Sequence, residues 1–416
     1  MNDRSPEIVR DGKAFMRQLA YVIGLSLVAR IVVLIVLPDP NLPDAGGFEL
    51  AGKHLFEQGT LHTIIHMPLF PIWSFVMGGG LGVKIADCII SSLTIGLIYG
   101  LTLEVFKCRL SAFVAAVIAI LYPHFLFYAV SRLSETLYIF LLCAAYLTLY
   151  RQKFGWGSIL LVLSILTRPS IDLLAPLIIF AFAVVVHRKS VGFGGVQVGK
   201  YAVIYILLMS PWWLHNYIKY DAFVRLNLGD GIVLYSGNNP ANTSGGGVAD
   251  GKETDDVDLS PFVEKYSNLI DRNDAFKQAA KDFIFENPDR FVELAAIKFV
   301  RFWRLWPYAP DYQAPHIIVA SLLSYGVVLA FFIVFVVRCS IKYWRPLVPI
   351  YLLIGYLTAV HMVTIGSIRY RLPLEPFLIV LAAHMISLFG MRYRFTRVVF
   401  ERAYTAFGGD WKKDYP

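Results

Sequence analysis

Apolar runs of about 15–23 residues recur along the whole 416-residue chain, and roughly 20 apolar residues span a bilayer core. Nothing else constrains the fold as strongly. Ten runs, the fifth of them short, lie near 19–37, 83–106, 111–129, 136–150, 157–167, 170–186, 200–214, 316–337, 347–365 and 373–389, with one kinked hairpin over 157–186 as the alternative there. The predicted class is an all-α polytopic membrane protein with about ten transmembrane helices. With 57% of residues hydrophobic and only 16% charged, an ordinary soluble domain and a disordered chain are both excluded. The first run lacks a small-residue cleavage site, so it is expected to stay as a helix.

Lysine and arginine in short loops set the expected orientation. Placing Arg4, Arg10, Lys13 and Arg17 in the cytoplasm also puts Lys107, Arg109, Arg151, Lys153, Arg188, Lys189, Arg338 to Arg345, and Arg392 to Lys413 there. Both termini are then cytoplasmic. The net charge of +8 is a topology signal on this reading, not a nucleic-acid footprint. Four regions result: a core of 1–214 with a first outer loop at 38–82, an outer loop at 215–314, helices at 315–390 and a basic tail at 391–416. The 215–314 segment holds 15 acidic and 11 basic residues, a balance of −4. In the first outer loop Phe48, Ala51 and Leu55 recur at helical spacing, predicting an amphipathic surface helix. The segment 67–76 predicts a second, interfacial one. In the 215–314 loop, 237–251 reads as turns, and 274–306 reads as a helix capped by Asp274. Asn242-Thr-Ser244 matches a glycosylation pattern and is read as a chance match among turn residues. The four cysteines show no ligand spacing, so no disulfide or thiolate metal site is expected.

Against that orientation a set of exceptions stands out. Arg132, Arg168, Arg369 and Arg371 all fall on the outer side, where charge near membrane depth is expensive. Arg168 precedes Pro169 and Arg371 precedes Leu372-Pro373, each at the start of a span. Helix starts favour anions, and arginine adds forked hydrogen bonds to phosphate oxygens. A residue before proline avoids the α region, so 369–372 is expected to be extended. Arg369 and Arg371 would then point the same way, with Tyr370 opposite. Asp44 and Glu135 lie on the same side. A carboxylate there either serves as general base on a hydroxyl or helps hold a metal. His62, His66 and His215 also fall outside, without zinc-type spacing. A divalent metal is thus allowed but not indicated, and no cofactor is required.

Taken in order, "PDAGGFELAGKHLFEQGTLH", "MPLFPIW", "LTRPS", "SPWWLHNYIKYDAFVRLNLGDGIVLYSGNNP" and "RYRLPLEPFLIVLAA" resemble the C-fold membrane glycosyltransferases that use polyprenyl-phosphate sugars. That group includes protein O-mannosyltransferases and lipid A aminoarabinose transferases. The resemblance implies Asp44 as catalytic base and Glu135 as the acid of the second outer loop. It implies Arg168, Arg369 and Arg371 as contacts to the donor phosphate. Arg132, Tyr370, His66, His215 and Asn238 are further candidates for donor or acceptor contact. His215 departs from the arginine usual at its place, and Ala45 from an acid. The implied reaction is an inverting sugar transfer on the outer face of a bacterial inner membrane, to a glycan, lipid or protein hydroxyl. A transporter or flippase of a lipid-linked glycan, or a non-catalytic scaffold, are the alternatives.

Overall fold

The computed structural model describes residues 12–40, 42–61, 65–247, 259–308, 312–392 and 394–406. Arg4, Arg10, Lys413 and His62 lie outside them, as do parts of the 237–251 turn region and of the basic tail. Every regular element among the described residues is helical. The chain runs through α1 (Gly12–Val36), the short α2 (Pro43–Gln58) and α3 (Leu69–Val76), then α4 (Gly80–Phe106), α5 (Arg109–Ile120), α6 (Pro123–Tyr128), α7 (Ser134–Tyr150), α8 (Phe154–Thr167), α9 (Ala175–Ala181) and α10 (Val191–Tyr220). The polar 215–314 segment supplies α11 (Asp230–Gly237), α12 (Ser260–Lys265), α13 (Leu269–Glu286) and α14 (Pro288–Trp303). After it come α15 (Pro315–Ser321), α16 (Val327–Val363), α17 (Ile368–Arg371), α18 (Glu375–Arg392) and α19 (Arg394–Ala406).

Among the described residues, five helical stretches are long and apolar enough to cross a membrane: Met16–Val36, Gly80–Phe106, Val191–Tyr220, Pro315–Val363 and Ile368–Arg392. Four shorter apolar ones are Arg109–Ile120, Ser134–Tyr150, Phe154–Thr167 and Ala175–Val186. The longest stretch breaks at Tyr343, whose φ of −109° and ψ of 15° are not helical, just before Pro346 and Pro349. The two runs predicted there are therefore separate helices.

The layering inverts that of a soluble protein. The window over Ile368–Arg392 is 83% buried, whereas those over Met16–Val36, Val191–Tyr220 and Pro315–Val363 are 17% buried. Ile35, Leu207, Ile218, Leu323 and Val337 point outward from these rim helices. An apolar exterior of this kind suits lipid. Inside, α18 packs on α4, α5 and α16. Ala112, Ala115, Ala116 and Ala119 give α5 a small-residue surface with no exposure, and such surfaces let helices approach closely without a hydrophobic drive. Arg30 of α1 is wholly buried and donates to Ser91 Oγ (2.9 Å) and to the Ile120 carbonyl (3.3 Å). It thereby serves the open carbonyl end of α5.

Two expectations for the 215–314 segment need correction. Asp274 is not a cap. Asn268 caps α13, its side chain accepting from the Ile270 N–H at 2.9 Å. Pro288, at the first position of α14, divides the predicted 274–306 helix at Asn287. Asn242 is no sugar acceptor as it stands: it is buried, donates to the Ser236 and Gly246 carbonyls, and accepts from Gly245 N–H. The neighbouring Asn238 donates to the Leu234 and Val363 carbonyls and accepts from Lys298 Nζ at 2.9 Å. These asparagines knit the turn to the end of α16.

Lys298 is wholly buried, and burial brings its ammonium down to about 7 from 10.5. Between those values the unfolded lysine holds a proton that the folded one has given up. Stability therefore rises with pH across that window, by about 1.4 kcal/mol per pH unit from this group. Thermal unfolding of the detergent-solubilised protein should shift upward from pH 7 to pH 9. In Lys298→Met that component of the shift disappears; an unchanged pH slope in the variant would contradict the assignment.

Candidate active site

Four charged side chains from four segments meet at one end of the helix bundle. Pro43 starts α2 and puts Asp44 in its first turn, where a carboxylate is favoured by the free N–H groups. Glu135 lies in the first turn of α7 for the same reason. Arg168, preceding Pro169, is extended as that position requires, with φ −147° and ψ 126°. Arg369 sits in α17, whose start is capped by Ser367 Oγ accepting from the Arg369 N–H.

Glu135 is the hub. Its side chain has no exposure, and its Oε1 accepts from both Arg168 Nη1 (2.5 Å) and Arg369 Nε. Arg168 Nη1 also reaches Ser134 Oγ at 3.2 Å. Arg369 Nη1 meets Asp44 Oδ2 at 2.6 Å, and this carboxylate is 36% exposed. The Glu135 Oε2 is buried and has no hydrogen-bond partner among the described residues. Two acids and two guanidiniums leave the cluster neutral, with one carboxylate sealed in and the other open. His66 lies alongside, its ring tilted 43° against that of Phe48 with centroids 4.4 Å apart. Burial holds its imidazole below the ordinary range; Asp44 opposes that, while Arg168 and Arg369 add to it. The arrangement offers two forked donors to an oxyanion and an accessible carboxylate to a proton.

Other predicted residues lie elsewhere. Arg132 adopts a left-handed backbone (φ 55°) and pairs with Asp39 (3.1 Å) and Glu49 (3.3 Å), not with Glu135. His215 stacks on Trp212 and accepts from the Leu61 N–H at 3.2 Å. It holds α10 to the end of the first polar segment. Asn238 is satisfied by the Leu234 and Val363 carbonyls and by Lys298, as described above. Tyr370 lies beneath Arg168, whose guanidinium is 5.8 Å from the ring centroid.

Arg371 requires a correction. The 368–371 stretch is helical, and Leu372 is too (φ −48°, ψ −38°). Residues two apart on a helix diverge by about 200°, so Arg369 and Arg371 face opposite ways. Burial of Leu372 and Leu374 in the core outweighs the pre-proline preference. Arg371 is itself wholly buried, pairs with Glu375 at 3.1 Å, and donates to the Phe302 (2.9 Å) and Arg304 (2.7 Å) carbonyls. Glu375 also meets His124 Nδ1 at 2.9 Å. The helix start behind Pro373 is thus already occupied by an internal charge network. His361 and Lys298 were missed in the sequence; both are lone residues on apolar or amphipathic helices, with no motif around them.

No family model and no curated protein matches this chain. Among solved structures it is similar to the crystal structure of ArnT from Cupriavidus metallidurans bound to undecaprenyl phosphate, with a TM-score of 0.55 and 13% identity. The match covers 94% of this chain and 63% of that one. The likeness is one of fold, shared with that ArnT structure. This chain spans less than two thirds of the length of that structure.

Replacing Arg371 by leucine should leave Glu375 without its buried partner and cost about 3–5 kcal/mol. The readout is the midpoint of thermal unfolding in detergent. A midpoint equal to that of the wild type would mean that Arg371 has another task.

Proposed function

We propose that the protein transfers a sugar from a polyprenyl-phosphate donor to an acceptor hydroxyl, with inversion at the sugar carbon. The observation carrying this reading is the convergence of Arg168 and Arg369 with Asp44 and Glu135 in a fold shared with a protein bound to undecaprenyl phosphate. The lipid-borne phosphate binds Arg369 and Arg168, and the apolar rim admits its chain. Asp44 takes the proton of the acceptor hydroxyl as its oxygen attacks the sugar carbon. The bond from that carbon to the phosphate oxygen breaks on the opposite face, and polyprenyl phosphate leaves. Negative charge grows on the departing phosphate, where fixed guanidiniums stabilise the transition state more than the ground state. Glu135 keeps both guanidiniums aimed, and its free Oε2 faces a sugar hydroxyl.

Ten spans, cytoplasmic termini and an extracytoplasmic site in a bacterial plasma membrane follow from the basic loops. The 38–82 and 215–314 segments then flank the site from outside, between a catalytic core of 1–214 and the helices of 315–390. Glycan, lipid and protein hydroxyls all fit the acceptor role.

The Asp44 carboxylate pairs with the guanidinium that the phosphate needs. Asp44→Asn should therefore bind undecaprenyl phosphate more tightly, by about five-fold, since a partly exposed ion pair contributes about 1 kcal/mol or less. It should release no polyprenyl phosphate from any of a panel of undecaprenyl-phosphate sugars that the wild type turns over. Arg369→Ala should weaken binding by about ten-fold or more. Full turnover by Asp44→Asn would take Asp44 out of the mechanism.

A further inference from the structure

The segment between α16 and α17 is short, and α14 grips it at both ends. The Val363 carbonyl accepts from Asn238 Nδ2 at 2.8 Å and from Lys298 Nζ at 3.3 Å. The Gly366 carbonyl accepts from Arg301 Nε at 2.7 Å, and its N–H donates to the Gly245 carbonyl at 3.1 Å. A Cβ on Gly366 would lie 2.6 Å from the Lys298 carbonyl oxygen, so only glycine lets the link lie this close to α14. Ser367 follows, caps α17 and fixes the N–H of Arg369. Arg369 thus begins three residues beyond a backbone clamped by side chains of α14.

A second path leads from α14 to the other arginine. Phe302 stacks on His361 at 5.5 Å and 16°. His361 stacks on Tyr370 at 4.6 Å and 5°, and the Arg168 guanidinium lies over the far ring. His361 Nδ1 is also 3.2 Å from the Ile365 carbonyl, inside the same link.

A buried lysine is a costly way to fill space that methionine would fill without desolvating an amine. What Lys298 adds is an N–H donor shared between Asn238 Oδ1 and the Val363 carbonyl, groups on two different segments. We infer that Lys298 is a positioning residue for the sugar transfer: through residues 363–366 it sets the direction of Arg369, and α14 as a whole holds both phosphate-facing arginines. The inference rests on the phosphate-binding role proposed for Arg168 and Arg369. It gives the polar 215–314 segment a direct part in donor binding, although none of its described side chains joins the charged cluster.

The test is a double-mutant cycle on the full chain in nanodiscs at pH 8, with undecaprenyl phosphate as the probe. Lys298→Met should raise Kd by about ten-fold, while Lys298→Gln, which keeps N–H donors, stays within about two-fold of the wild type. In an Arg369→Ala background, Lys298→Met should add no further loss, because the group it aims is gone. A merely destabilising substitution would weaken binding to the same extent in both backgrounds, and that result overturns the inference. So does a Kd unchanged by Lys298→Met while Arg369→Ala weakens binding. A wild type that does not bind undecaprenyl phosphate removes the underlying reading and this one with it. Should Lys298→Met fail to fold, Gly366→Ala displaces the same link and takes its place in the cycle, with the same outcomes.

Discussion

The Arg369 guanidinium is the tie on which the arrangement depends. It joins Glu135, 234 residues earlier, and Asp44, 325 residues earlier, in one cluster. Contacts so distant in sequence form only after the helices that carry them have packed. The cluster therefore reports the fold rather than creating it. Its charges are arranged with opposite purposes. Glu135 is sealed and shared by two arginines, which satisfies the cost of burying it. Asp44 is open to solvent and holds one arginine by a single contact. One acid is fixed and the other is free to change partners.

A second buried pair, Arg371 with Glu375, begins two residues further along and does different work. It binds the carbonyl end of α14, so the polar segment and the most buried helix are locked by a charge network with no exposure. Neighbouring arginines in "RYR" thus divide between the cluster of Asp44 and Glu135 and the packing of α14. The division is a matter of helical phase alone.

Much of this was legible in the chain. The apolar runs predicted each long helix, because lipid-length hydrophobicity is a strong and local signal. Phe48, Ala51 and Leu55 predicted α2 from their spacing, and Phe48 and Ala51 are indeed buried. Of the arginines and acids singled out there, Arg168, Arg369, Asp44 and Glu135 do meet in one cluster, since charge at such places needs a partner. What the chain did not reveal was pairing. Arg371 carried the same flanking proline signal as Arg168, yet tertiary packing made Leu372 helical and turned the side chain inward. Lys298 and His361 belong to no motif, and their importance lies in contacts with Asn238, Val363 and Tyr370 that only three dimensions supply. Asp274 and Asn268 are both good capping residue types, so residue type alone does not place the start of α13.

The burial pattern of the helices has a consequence for how the protein meets membranes of different thickness. Helices α5, α7 and α8 are 12, 17 and 14 residues long, short for a bilayer of about 30 Å. Their buried faces meet other helices, while the long rim helices α1, α10 and α16 present apolar side chains outward. Hydrophobic mismatch is then taken up by tilting of the rim. The short central helices, and the charges mounted on their ends, are insulated from it, so a change of lipid chain length deforms the shell before it reaches the chemistry.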